Sequence, residues 1–75
     1  MDELLELLAA EVGRREAKQH LANHLCVSYQ AVKKWFDRGY MPLWRAVECE
    51  YLWGVDRQKL MDPEIVEIVT DNLNF

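Results

Sequence analysis

Residues 21–35, Leu-Ala-Asn-His-Leu-Cys-Val-Ser-Tyr-Gln-Ala-Val-Lys-Lys-Trp, restrict the fold more than any other stretch of this chain. Leu21, Ala22 and Leu25 recur at helical spacing, and the period breaks at Cys26-Val27. Ser28 follows, a residue whose hydroxyl accepts a hydrogen bond from the first turn of a helix, and Val32 and Trp35 then resume the period. The pattern predicts a helix, a tight turn and a second helix that starts on a capping serine. Each fixed position has a physical reason. Ala22 is small where the two helices cross, Val27 fills the turn, and Val32 with Trp35 anchors the second helix to the core. Tyr29, Gln30, Lys33 and Lys34 remain outward at i, i+1, i+4 and i+5, one face near the start of that helix.

The flanking sequence supplies three further helices. Leu4, Leu5, Leu8 and Val12 predict a first helix that ends near Gly13, with Asp2, Glu3 and Glu6 where the helix dipole favours anions. The helix before the turn then starts at Arg14 or Arg15, with Ala17, Leu21, Ala22 and Leu25 inward. The helix after the turn runs to Phe36 or Asp37 and stops at Gly39. Pro42 suits the first turn of the next helix, which carries Leu43, Ala46, Val47, Cys49 and Tyr51 or Leu52 and ends at Gly54. A short helical turn from Asp56 to Leu60 leads to Pro63. The tail Ile65-Val66-Glu67-Ile68-Val69 fits either a strand, by its β-branched residues, or a helical stripe. A strand there would need a partner from another subunit. The expectation is an all-α, five-helix single domain over residues 1–75, with the helix-turn-helix at about 15–38 and the tail left open.

Charge is unevenly spread. The net charge is −4. Residues 14–45 hold seven cations (Arg14, Arg15, Lys18, Lys33, Lys34, Arg38 and Arg45) against Glu16 and Asp37, a local balance of +5. Residues 1–13 carry −4 and residues 46–75 carry −5. A basic middle between acidic ends is the footprint of one surface that faces nucleic acid. No apolar run approaches a membrane span and no signal segment opens the chain, so a cytoplasmic location is expected. Cys26 and Cys49 are too few and too far apart for a disulfide framework or zinc site, and both are expected reduced.

A helix-turn-helix sets its second helix in the DNA major groove, where Gln pairs well with adenine and Lys with guanine. The Leu-Ala-x-x-Leu-x-Val-Ser-x-x-Ala-Val-x-x-Trp pattern resembles the Cro-like repressors of temperate phages and the related YdaS-type antitoxin and prophage regulators. Arg38-Gly39-x-x-Pro42-x-x-Arg45-Ala46-x-x-x-Glu50 and Leu60-Met61-Asp62-Pro63 extend the resemblance over positions 17 to 63. It implies a lambda-repressor-like fold and a repressor that binds a palindromic operator in double-stranded DNA. It further implies that Tyr29, Gln30, Lys33 and Lys34 face bases, while Lys18, Gln19, Ser28 and Arg38 meet phosphates. Cys26 stands where such proteins usually carry glycine, and if the backbone there needs φ > 0 a cysteine costs about 1 kcal/mol.

Other features read more plainly. Trp35 is a core residue, and Trp44 and Trp53 are core or partner-facing. Trp44 lies outside the apolar stripe of its helix and is a candidate homodimer contact, with Ile65 and Ile68 of the tail as a second. A homodimer is expected because one short helix covers few base pairs. His20 and His24 have the i, i+4 spacing of two metal ligands, but the register turns both outward and no third ligand is at hand, so neither a metal nor another cofactor is expected. No serine–histidine–acid set, buried carboxylate pair or phosphate-cradling glycine loop points to an enzyme. The rival is a protein-binding module on the same scaffold, with the acidic ends docking a basic partner.

Overall fold

The computed structural model describes residues 1–73, with side chains through residue 68. It is all-helical: α1 Asp2–Val12, α2 Arg14–Leu25, α3 Tyr29–Arg38, α4 Leu43–Trp53, a single 3₁₀ turn Arg57–Lys59, and α5 Pro63–Leu73. No strand occurs among the described residues. The tail is therefore helical. Pro63 supplies a preset φ in the first turn, and the Asp62 carboxylate accepts from the Glu64 amide at 2.9 Å.

Gly13 alone joins α1 to α2, and its φ of 87° lets the chain reverse there. The two helices make the most extensive pairing in the fold, through Leu4 and Leu8 of α1 and Ala17 and Leu21 of α2. Val32 and Trp35 of α3 close over the same core, as do Ala46 and Cys49 of α4. Ala22 and Leu25 of α2 complete the helical part of the core, and its other residues lie in links. Met41, Val55, Leu60 and Met61 are all buried, and the Met41 amide donates to the Leu60 carbonyl at 2.8 Å, tying the α3–α4 link to the 3₁₀ turn. At the same end of that turn the exposed Lys59 ammonium donates to Glu3 at 3.0 Å, beside the start of α1.

Three sequence expectations change. Val12, Leu43, Tyr51 and Leu52 are exposed instead of inward. On α4 the buried stripe is Ala46 and Cys49, flanked by half-buried Glu50 and Trp53, and that period turns Tyr51 to the opposite side. Pro42 precedes α4 as its N-cap, where its carbonyl accepts from Arg45 and Ala46 amides at 3.0 Å. His20 is not outward, because α1 covers that side of α2: its Nε2 lies 2.9 Å from Glu11 Oε2.

Candidate functional site

The α2–turn–α3 unit is built from local hydrogen bonds. After Leu25 the chain enters the left-handed region at Cys26, φ 55° and ψ 42°. The Cys26 amide then donates to Asn23 at 3.4 Å and the Val27 amide to Ala22 at 3.1 Å. This double closure satisfies carbonyls that α2 would otherwise leave open. Ser28 follows with extended backbone, and its Oγ accepts from the Ala31 amide at 3.1 Å. Gly39 ends α3 with φ 93°. The turn is thus fixed on both sides, and with it the direction of α3.

Burial of Val32 and Trp35 leaves Tyr29, Gln30, Lys33 and Lys34 exposed on the outer side of α3. None of these four side chains forms a hydrogen bond or ion pair among the described residues. An amide with both donor and acceptor open can pair two-fold with an adenine edge, and two ammonium groups can reach guanine oxygens or phosphates.

The expected phosphate group is more dispersed. Ser28 is engaged as a cap, with its hydroxyl exposed beside the helix start. Lys18 is half-buried, its ammonium 5.3 Å from the centre of the Phe36 ring, so it braces α2 on α3. Gln19 donates to Asn23 Oδ1 at 3.0 Å along the exposed side of α2. Arg38 donates from Nε to the Tyr40 carbonyl at 3.0 Å, with its guanidinium 4.5 Å above the Tyr40 ring. That leaves its outer nitrogens open for a bidentate anion contact.

Besides Lys18, two further cations of the basic block serve the fold. Arg14 pairs with Glu6 at 2.7 Å. Arg45 donates from Nη1 to the Leu25 carbonyl at 3.3 Å and to Glu48 at 2.8 Å, so α4 is locked onto the end of α2. A cation there also meets the negative end of the α2 dipole. Sequence reasoning counted Arg45 as surface charge and missed this role. Tyr40 was missed as well. The signal for it, an aromatic two residues after a helix-ending arginine, is too weak to be read alone.

Compared with family models, curated proteins and solved structures, the chain matches none.

The remaining candidates divide cleanly. Trp44 stands out into solvent at 76% exposure, and Ile65 and Ile68 are exposed on α5. Trp53 is half-buried and sets its ring 5.4 Å from that of exposed His24, edge to face. His24 in turn lies 4.6 Å from His20. Among the described residues no group of three histidine, cysteine or acidic side chains is placed to hold a metal ion. No helix among them is long and apolar enough to cross a membrane. Burial pushes the Cys49 thiol up to about 12, with Glu48 adding to the shift and Arg45 opposing it, so this cysteine stays protonated.

Proposed function

We propose that this protein is a sequence-specific DNA-binding regulator of the repressor type, acting in the cytoplasm and laying α3 in the major groove of a palindromic site. The observation that carries the reading is the α3 face. Gln30, Lys33 and Lys34 stand exposed and unengaged on a helix whose start is fixed by the Ser28 cap and whose end carries Arg38. A protein-binding surface has no need of this polar and cationic set, whereas base readout requires it. Electrostatics support the same face. Lys33, Lys34 and Arg38 add positive charge there against the single acid of α3, exposed Asp37, while the acidic surplus lies in the flanking segments.

Two copies are needed to cover a site long enough to be specific, and a two-fold pair reads half-sites about one DNA turn apart. Selection of bound duplexes from a random pool at two salt concentrations tests the reading. The expected result is an enriched palindrome whose affinity falls steeply with salt. No enrichment at low salt overturns it and favours a protein-binding module.

A further inference from the structure

We propose that α4 is the seat of a homodimer, in which two copies pair their outer α4 stripes antiparallel and Trp44 of each packs against the partner subunit's Tyr51. Trp44, Val47 and Tyr51 recur at i, i+3 and i+7 on the side of α4 away from buried Ala46 and Cys49. Trp44 is 76% and Tyr51 89% exposed, the most exposed large apolar side chains among the described residues. Scattered single leucines on a surface are ordinary, but two aromatics two turns apart on one stripe and flanked by exposed Leu43 and Leu52 form a patch.

Beside Trp44 the patch continues into a groove of about 280 Å³, walled by Leu43, Val47, Met61 and Val66, with Arg57 and Gln58 on its polar side. Its size falls just short of the roughly 300–1,000 Å³ of small-molecule pockets, and it suits one large side chain from another protein surface. The exposed area also has the right scale. Each aromatic carries roughly 150–250 Å², so Trp44 and Tyr51 together with the leucines and groove approach the roughly 800 Å² per partner of a stable interface.

Charge and symmetry identify the occupant as a second copy. Along the stripe the one carboxylate, Glu48, is already held by Arg45 at 2.8 Å. The α4 stripe itself therefore carries no net charge that would repel its own copy, and Arg57 stands beside it at the groove. An isologous contact pairs residue i with j and j with i. The midpoint of the stripe falls between Val47 and Glu48, and an antiparallel pair about that point sets position 44 opposite position 51. Pairing through α4 leaves the outer side of α3 open in both copies. Its use on DNA rests on the function proposed above; the pairing itself does not.

Sedimentation equilibrium of the full chain over a hundred-fold concentration range tests the pairing without DNA. The wild-type protein is expected to dimerise. Trp44→Glu and Tyr51→Lys are each expected to raise the dimer dissociation constant about 30-fold or more, the loss of a central aromatic anchor, with helix content unchanged by circular dichroism. The double variant sets Glu against Lys across the axis and is expected to regain most of the lost affinity, whereas a parallel pairing sets like charges together and is not rescued. A wild-type chain that stays monomeric throughout overturns the proposal, and so do unaffected single variants or an unrescued double. Absence of DNA binding by the wild-type chain removes the function proposed above and leaves the pairing in place.

Discussion

The Arg38 guanidinium lies 4.5 Å above the Tyr40 ring while its Nε donates to the Tyr40 carbonyl at 3.0 Å. The ring and the carbonyl hold the group at the end of α3 with its outer nitrogens exposed, and rotamer freedom is given up in the folded state before any ligand arrives. Arg38→Ala is expected to weaken binding to every duplex alike and to lower the slope of log affinity against log salt by about 1. Tyr40→Leu keeps the cation and loses the stack, so it should cost a fraction of that affinity with the slope unchanged. Titrations at four salt concentrations separate the two, and a sequence-dependent loss from Arg38→Ala would sink the phosphate role.

Gln30 carries the specificity argument. Its amide is exposed on α3 and forms no bond within the protein, so its hydrogen-bonding capacity is available to a base edge. Gln30→Ala should cost roughly 1–3 kcal/mol on the preferred duplex and relax the preference at one position of each half-site. Competition between the selected duplex and single-base variants measures this. Equal weakening on all sequences would assign Gln30 to the backbone.

Ser28 links the turn to the start of α3. Its Oγ holds the Ala31 amide at 3.1 Å, and Ser28→Ala leaves that donor without a side-chain partner. The expected loss is about 1 kcal/mol of stability, the usual worth of an N-cap. Ser28→Asp retains the acceptor and should keep stability near wild type, while its negative charge beside the DNA backbone lowers affinity. Urea unfolding of both variants checks the first statement and duplex titration the second.

The two cysteines are distinguished by burial. Cys49 is fully buried and its thiol is pushed up to about 12, whereas Cys26 is exposed at the turn. A thiol-specific reagent at pH 8 should label one cysteine in the native protein and both after denaturation. The folded state also holds the Cys49 proton more tightly than the unfolded chain, whose thiol titrates near 9.0. This contribution to stability is complete below pH 9 and declines as pH rises from there toward 12. Cys49→Ala should remove that part of the alkaline decline.

Features encoded by neighbours along the chain were legible in the sequence. Ser28 as cap, Gly39 as helix stop and the Leu21–Leu25 and Val32–Trp35 inner stripes each follow from local chemistry, and the structure has them at those residues. Contacts closed over distance were not. Nothing around Met41 or Val55 announces burial, because both lie in links where no period marks an inner side. Arg45 meets the Leu25 carbonyl across 20 positions, so its sequence neighbours show only a surface cation. On α4, apolar residues lie on both sides, and spacing offered Tyr51 or Leu52 for the inner one, whereas both are exposed. The open tail became a helix because Asp62 and Pro63 start one, a local signal that the β-branched run beyond them obscured.

Cys26 is the one non-glycine residue among those described with positive φ, at 55°. For an L-residue this conformation costs roughly 1–2 kcal/mol, through the clash of Cβ with the following carbonyl. The Cys26 side chain offers little in return: it is exposed, and its Sγ approaches only the Asn23 carbonyl at 4.0 Å. Cys26→Gly removes the clash but adds freedom to the unfolded chain, worth roughly 0.5–1 kcal/mol in the other direction. The balance favours glycine by about 0.5–1 kcal/mol, which for a domain of this size raises the melting temperature by about 2–8 °C. Cys26→Val adds a branch at Cβ in the same conformation and should lower it. Thermal unfolding of the three proteins ranks them Gly above Cys above Val. A melting temperature for Cys26→Gly below wild type would mean that the thiol stabilises the turn and that the left-handed strain is smaller than the geometry indicates.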